Sequence, residues 1–152
     1  MKTKTIGRVS VIAAIYATLT IAFAPLSYDM VQVRISEALT ILPFIFPESV
    51  LGLFLGCLIA NIYGGLGFID IVFGSLATLL AAFLTKKMPH PFLAPLPPVL
   101  VNAVVVASIL KYVLGYPFVA SILYVGLGEF LACYFLGLPL LYLLKKYEWS
   151  QY

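Results

Sequence analysis

Long apolar runs separated by short turns make up almost the whole chain. A helix that crosses a bilayer needs about 20 mainly apolar residues, and the pattern predicts six such spans. Their approximate bounds are residues 6–24, 30–46, 48–64, 69–85, 96–112 and 118–144. Glycines and prolines mark the turns between them. We therefore predict one all-α domain over residues 1–152, an integral membrane bundle of six transmembrane helices.

Two of these spans contain residues that predict irregular helices. The second span holds Arg34 and Glu37 in its first half and Pro43 near its end. Proline lacks a backbone N–H and clashes with the preceding turn, so we expect a tilt or a kink there. Pro139 predicts a bend in the sixth span for the same reason.

The composition supports a membrane location. Hydrophobic residues make up 63% of the 152 residues, charged residues make up 10%, and the mean hydropathy is +1.11. Soluble domains are about 25% charged, so a soluble fold is excluded. The net charge of +3 is too small to indicate a nucleic-acid-binding surface. Cys57 and Cys133 lie inside apolar runs, which favours buried thiols over a disulfide or a redox pair.

The basic residues predict the orientation of the bundle. If both termini are cytoplasmic, seven of the nine Lys and Arg residues lie on the inner side, in agreement with the positive-inside rule. The inner residues are Lys2, Lys4, Arg8, Lys86, Lys87, Lys145 and Lys146, and the outer ones are Arg34 and Lys111. We therefore predict a multi-pass protein with cytoplasmic termini and an even number of spans.

Glu129 is the most informative single residue, because it lies deep in the sixth span with no nearby Lys or Arg in sequence. A carboxylate at the centre of a membrane helix costs about 2.5–3.5 kcal/mol on insertion scales. At a rise of about 1.5 Å per residue, Glu129 is roughly 16 Å below the outer end of its helix. Such a group usually faces a cavity, so we predict that Glu129 binds a polar small molecule.

Other polar residues lie at similar depths, between the midplane and the outer surface. They are Arg34, Glu37, Asn61, Tyr63, Asp70 and Asn102. The inner half of the bundle is almost purely aliphatic, which predicts a cup that opens to the outside and is sealed below. Structural roles remain open for four of these positions. Arg34 and Glu37 are spaced to pair, Asp70 can cap a helix, and Asn102 can bind a neighbouring backbone.

Small residues form two patterns that allow close helix packing. The third span has Gly52, Gly56, Ala60 and Gly64 at four-residue spacing. The first span has Ala13 and Ala17 on one stripe, and Ser10, Ala14, Thr18 and Ala22 on the adjacent stripe. A small face this wide can serve two neighbours, which are the rest of the bundle and another subunit.

Motifs for catalysis and cofactor binding are absent from the sequence. His90 is the one histidine, so no Ser–His or Cys–His catalytic set and no histidine-rich metal site is supported. We predict a protein that is not an enzyme and uses no cofactor or metal. Because no phosphate-binding loop is present, energy for active uptake must come from another chain or from an ion gradient.

Three segments resemble the QueT family of membrane proteins. The most specific is the stretch 31–43, Val-Gln-Val-Arg-Ile-Ser-Glu-Ala-Leu-Thr-Ile-Leu-Pro. Residues 60–70 followed by 73–77, and Gly128-Glu129 followed by 136–140, also resemble it. The resemblance implies the substrate-binding (S) component of a prokaryotic energy-coupling factor (ECF) transporter in the plasma membrane. It also implies two cytoplasmic ATPases and a transmembrane coupling subunit, which Ala13 and Ala17 would contact.

The ligand that this resemblance implies is a queuosine precursor, a 7-deazaguanine such as queuine or its 7-aminomethyl analogue. Such a base has two adjacent N–H donors, and a carboxylate accepts both in strong charge-assisted bonds. We assign that contact to Glu129, with Glu37 next. The remaining expected ligand-binding residues are Arg34, Asn61, Asn102, Asp70 for a cationic aminomethyl group, and Tyr63, Phe68, Tyr112 or Tyr124 for stacking. The loop 25–33 is expected to close over the site.

Three alternatives remain open at this point. The chain can be an S component for another flat heterocycle such as a vitamin, because carboxylates, amides and tyrosines suit many rings. It can be a self-contained proton-coupled carrier that uses Glu129 as its proton site. It can also be a structural subunit without a ligand.

Overall fold

A computed structural model describes residues 3–27 and 33–149, with side chains described to residue 147. This part of the chain is helical and contains no β-strand. The α-helices are α1 (Thr3–Ala22), α2 (Ala24–Ser27), α3 (Ser49–Gly64), α4 (Ser75–Thr85), α5 (Leu96–Leu114), α6 (Phe118–Phe130) and α7 (Leu138–Trp149). Between them lie a long 3-10 helix (Ile35–Phe44), a short 3-10 turn (Pro91–Leu93), and first and second π turns (Asp70–Gly74 and Leu131–Gly137).

Three continuous helical segments are long and apolar enough to cross a membrane. They are Thr3–Ala22, Pro91–Leu114 and Phe118–Tyr147. Ile35–Phe44, Ser49–Gly64 and Asp70–Thr85 are apolar but shorter. Large hydrophobic side chains are also exposed on the outside of the bundle, including Val11, Ile59, Leu80, Val104 and Leu123. An apolar exterior around a packed interior is the surface that lipid requires, and the chain is an all-α membrane protein.

The irregular second span is a 3-10 helix at the centre of the bundle. Ile35–Phe44 contacts α1, α3, α4, α7 and the second π turn. A 3-10 run of 10 residues is unusual, since most are only three or four residues long. Pro43 lies inside it and cannot donate a backbone hydrogen bond, so a regular α-helix is disfavoured there. At about 2.0 Å rise per residue the helix is about 20 Å long, shorter than a membrane span.

The bend expected at Pro139 lies before that residue instead. Pro139 is in the first turn of α7, where a missing N–H is tolerated. The irregular segment is the second π turn, Leu131–Gly137, which directly precedes it. Because Pro139 cannot donate to the carbonyl of Phe135, a change of hydrogen-bond register just before it is physically reasonable. Pro25 likewise lies within the short helix α2, so the first span ends at Ala22 rather than at Ala24.

The closest helix packing joins α1 and α3. A Cβ on Gly56 would lie 2.8 Å from the Ala13 carbonyl oxygen, and one on Gly52 would lie 2.9 Å from that of Val9. The small residues of α3 therefore pack inside the chain, as their spacing allowed. Ala13 lies in this contact, and Ala13 and Ala17 are both buried, at 7% exposure each.

Ala13 and Ala17, the residues expected to contact another subunit, are thus buried within this chain. Their stripe is already covered by α3, since only glycine allows the two backbones to approach so closely. The adjacent stripe of α1 is the one left open. Its members Ser10, Ala14, Thr18 and Ala22 are all exposed.

One ion pair marks the end of the bundle where α1 and α3 begin. The Arg8 guanidinium donates a hydrogen bond to Glu48, with 2.8 Å between Nη1 and Oε1. This bond lowers the pKa of the Glu48 carboxyl, which lies just before α3. Asn61 is 12 residues after Ser49, so it lies about 18 Å further along α3. Asn61, a fully buried polar residue, therefore lies toward the opposite end from this ion pair.

Candidate functional site

Two buried carboxyl groups and a thiol meet at the centre of the bundle. Glu37 is on the long 3-10 helix, Glu129 is on α6, and Cys133 is in the second π turn. A ligand atom from each lies within 4.8 Å of the other two. Glu37 is 0% exposed and Glu129 is 2% exposed. Carboxylate and thiolate can bind a metal, but carboxylates in a dry site are equally strong acceptors for N–H donors.

Each carboxyl group is held by a donor from a different helix. The Asn102 side chain of α5 donates from Nδ2 to Glu129 Oε1 at 3.1 Å. The Tyr16 hydroxyl of α1 donates to Glu37 Oε1. Glu129 therefore has a partner on a neighbouring helix, although it has none nearby in sequence. Glu37 keeps its second oxygen, Oε2, without a hydrogen-bond partner among the described residues.

The backbone of Glu37 is also fixed by side chains. Thr40 Oγ1 donates to the Glu37 carbonyl oxygen at 2.6 Å, and Cys133 Sγ donates to the same oxygen at 3.5 Å. Gly137 lets the second π turn approach the 3-10 helix, because a Cβ there would lie 3.0 Å from the Ala38 carbonyl oxygen. Because these contacts fix its backbone, Glu37 is oriented before any ligand arrives.

A second group of polar side chains lies around the first π turn. Asp70 begins this turn, and the Asn61 side chain of α3 donates to the Asp70 carbonyl oxygen at 3.2 Å. Gly74 leaves room for both side chains, since a Cβ there would lie 2.8 Å from Asn61 Nδ2 and from Asp70 Oδ1. The Arg34 guanidinium interacts electrostatically with both Asp70 and Glu37. Arg34 therefore links this group to the carboxyl pair.

Arg34 also ties the entrance of the 3-10 helix to the end of α2. Its Nε donates to the Ser27 carbonyl oxygen at 3.1 Å, and its side chain is buried. Most of the loop expected to close over the site, residues 28–32, lies outside the described residues.

Several polar atoms in this region are buried without a hydrogen-bond partner among the described residues. They are Ser27 Oγ, Glu37 Oε2, Asn61 Oδ1, Asp70 Oδ2, Asn102 Oδ1 and Ser121 Oγ. Each such atom costs about 1–3 kcal/mol if nothing binds it. The six atoms belong to six different elements. They are typical of a site whose hydrogen-bonding groups are completed by a ligand or by ordered water.

The structure separates the expected site residues into two sets. Glu129, Glu37, Arg34, Asn61, Asp70 and Asn102 are all buried, and contacts or charge interactions link them. The aromatic residues expected to stack on a ring lie at exposed positions. Tyr63 is 61% exposed, Tyr112 is 82% exposed, Tyr124 is 44% exposed and Phe68 is 77% exposed.

Sequence reasoning missed Tyr16 and gave Cys133 only a packing role. Tyr16 is fully buried, and it sits on α1 next to the small residue Ala17. A single tyrosine in an apolar span is normally interpreted as lipid-interface or core packing, so no sequence signal singles it out. Cys133 is four residues after Glu129, one helical turn away, which was a usable signal.

Comparisons with known proteins identify the family of the chain. A sequence profile described as QueT transporter matches residues 6–146. The chain is also similar to the Queuosine precursor transporter QueT of Lactococcus lactis subsp. cremoris (strain MG1363), with 31% identity over 80 residues. That alignment covers 51% of this chain and 47% of the relative, so it spans about half the length of each. No solved structure matches the chain.

The profile covers nearly the whole chain, including Glu37, Glu129 and every other residue of the buried polar cluster. A transporter family accounts for a membrane bundle with a preformed polar interior, and it excludes an enzyme. The chain belongs to the QueT transporter family.

Proposed function

We propose that this chain captures a queuosine precursor of the 7-deazaguanine class as the S component of an ECF-type importer. The observation that carries the proposal is the pair of fixed carboxyl groups, Glu37 and Glu129, among buried polar atoms that lack partners in the described part of the chain. The relative from Lactococcus lactis, of which about half aligns with this chain, is named for queuosine precursors. Its name supports the substrate class.

The chemistry of the cluster suits a flat base with donors on one edge. Glu37 Oε2 and the Glu129 carboxylate supply acceptors for the ring N–H and the exocyclic amino group of a deazaguanine. Asn102 Oδ1 and Asn61 Oδ1 supply further acceptors, and both are without described partners. Asp70, with its free Oδ2, is placed to accept from a cationic aminomethyl group.

The depth of the cluster supports entry from the side opposite the Arg8–Glu48 ion pair. Asn61 lies toward the end of α3 that is far from this pair, and Asp70 lies in the turn that follows α3. The basic residues near the chain ends assign the ion-pair side to the cytoplasm by the positive-inside rule. We therefore propose an outward-facing capture site in a prokaryotic plasma membrane, with six membrane-crossing segments and both termini inside.

Glu129→Gln tests the site directly. Glutamine replaces one carboxylate oxygen by an N–H₂ donor that faces the donors of the base, so affinity should fall about tenfold or more, or about 1.4 kcal/mol. Glu48→Gln is the matched control, because Glu48 lies outside the cluster and pairs only with Arg8 among the described residues. Calorimetry of each purified variant with the aminomethyl base gives the affinities. Equal affinity of Glu129→Gln and wild type removes Glu129 from the site.

Release of bound ligand and its mass spectrometry tests the substrate class without a variant. A 7-deazaguanine released from the purified protein supports the proposal, and a vitamin of another ring type contradicts it. Transport by the lone chain in liposomes under a pH gradient would instead indicate a self-contained proton-coupled carrier.

The open stripe of α1 is the proposed contact for a coupling subunit. Ser10, Ala14 and Thr18 are exposed small residues, and close helix approach needs such residues. This stripe adjoins a groove of about 610 Å³ lined by Gly7 and Val11 of α1 and by residues of the 3-10 helix and α7. An apolar groove beside a small-residue face fits a helix from another chain.

Ala14→Trp plus Thr18→Trp tests this contact. Ligand binding should persist, since both positions face away from the site, while co-purification with the coupling subunit and ATPases should fail. Leu80→Trp, at an exposed position on α4, is the control and should retain the complex. An intact complex with the double variant would reject the α1 stripe as the contact.

A further inference from the structure

Away from the polar cluster, an apolar groove runs between the first π turn and α5. It has a volume of about 480 Å³ and is lined by Ile69, Phe73, Val104, Val105, Ser108, Ile109 and Tyr112. Phe73 and Val104 are more than half exposed. The Ser108 hydroxyl already donates to the Val104 carbonyl oxygen at 2.7 Å. Apart from the Tyr112 hydroxyl at its end, the groove is lined by apolar side chains.

A second cavity adjoins this groove, and a lysine side chain lines it. It has a volume of about 470 Å³ and is lined by Ser108, Lys111, Tyr112 and Phe118, so it shares two residues with the groove. Lys111 Nζ lies 5.5 Å from the centre of the Phe118 ring. Together the two cavities form one surface, apolar along α5 and cationic at its end, which we name the Lys111 groove.

Lys111 has no acidic partner among the residues that the structure describes. Glu37, Asp70 and Glu129 are buried in the polar cluster, and Glu48 pairs with Arg8. Tyr112, beside it, is 82% exposed, and tyrosine in such a position typically lies at the lipid headgroup level. A positive charge and a hydroxyl at headgroup depth, above an apolar channel, complement an anionic amphiphile.

We propose that the Lys111 groove binds an anionic phospholipid, with an acyl chain along α5 and the phosphate group at Lys111 and Tyr112. Val104 to Tyr112 covers about 12 Å of helix, enough to hold much of one leaflet's acyl chain. A cation at the membrane surface attracts anionic lipids over zwitterionic ones, so the site selects by charge. This proposal is independent of the ligand in the polar cluster.

Lipid retention tests the charge selection. Protein is reconstituted in nanodiscs of mixed phosphatidylglycerol and phosphatidylcholine, washed with delipidating detergent, and analysed by native mass spectrometry. Wild type should retain phosphatidylglycerol in preference, and Lys111→Gln should reduce that retention about fivefold or more. Lys87→Gln is the matched control, since Lys87 also lies over a ring, that of Phe83, but lines neither cavity. Equal retention by wild type and Lys111→Gln overturns the proposal.

A second variant tests the apolar part. Val104→Trp fills the groove and should reduce retention of both lipids, while Leu123→Trp on exposed α6 should not. If Val104→Trp instead changes the protein's oligomeric mass and leaves lipid retention unchanged, the groove is an interface between copies of this chain. That result contradicts the lipid proposal.

Discussion

The two halves of the long 3-10 helix are equally buried but have opposite surroundings. Nearer its start, Ser36, Glu37 and Thr40 contact Thr20, Tyr16 and Cys133, respectively, through polar atoms. In the second half, Ile41 and Leu42 pack with Ala94 and Leu141 in an apolar cluster.

The difference shows how one short element divides the interior. The apolar half satisfies every group by packing, whereas the polar half leaves Glu37 Oε2 without a described partner. Packing therefore stabilises one end, whereas the other end has a buried acceptor that costs free energy unless something binds it. The two properties lie on different turns of the helix.

Leu141→Ala should have the largest effect on stability. Leu141 is 0% exposed in the apolar cluster, and truncating such a side chain costs about 2–5 kcal/mol. Thermal unfolding in detergent should show the loss, while the folded fraction still binds ligand with unchanged affinity. Tyr142→Ala is the control. Tyr142 is next to Leu141 but half exposed, so its truncation should change the unfolding free energy little. Loss of affinity in folded Leu141→Ala would mean that the two halves are coupled.

Glu37→Gln should give the opposite pattern. Glutamine keeps an acceptor for the Tyr16 hydroxyl but replaces the other oxygen by a donor. Ligand affinity should fall about tenfold, and the unfolding free energy should change by less than about 1 kcal/mol. Calorimetry and thermal unfolding on the same preparation measure both quantities. A large loss of stability with normal affinity would assign Glu37 to the fold and not to the site.

Tyr16→Phe should have the smallest effect of the three. It removes the hydroxyl that orients Glu37 and keeps the packed ring, so affinity should fall only a few-fold, or by about 1 kcal/mol. Combining it with Glu37→Gln should add little, because Tyr16 affects the ligand only by orienting the Oε2 acceptor that glutamine has already replaced. Additive losses in that double-mutant cycle would show that Tyr16 acts on the ligand by another route. Tyr142→Phe, at an exposed position, is the control.

The sequence predicted where helices end better than it predicted the hydrogen-bond geometry inside them. Gly65 and Gly115 adopt positive φ and end α3 and α5, as the glycine-rich turn at 64–67 and the turn at Gly115 indicated. Glycine tolerates this conformation without steric cost, so the signal is local and readable. The π turns at Asp70–Gly74 and Leu131–Gly137 were not predicted, because a shift of hydrogen-bond register depends on neighbouring helices.

Polar residues within apolar runs correctly indicated the buried cluster, because a polar side chain without a hydrogen-bond partner is unfavourable in lipid and turns to the interior. Glu129, Glu37 and Asn102 indeed lie together. The aromatic residues could not be placed in the same way, because a ring is stable both in lipid and in the core. Tyr16 is buried, whereas Tyr112 is exposed.

The sequence by itself determined that the chain is a helical membrane protein with acids and amides where lipid cannot accept them, because hydropathy and charge act at every position independently of the fold. Only the tertiary structure decided which small stripe of α1 is covered. Ala13 meets Gly56, and Ala14 remains open, although their spacing patterns are equivalent. It also decided that Tyr16 holds Glu37. Both outcomes depend on how one helix is rotated against its neighbours, and the pattern along a single helix does not contain that rotation.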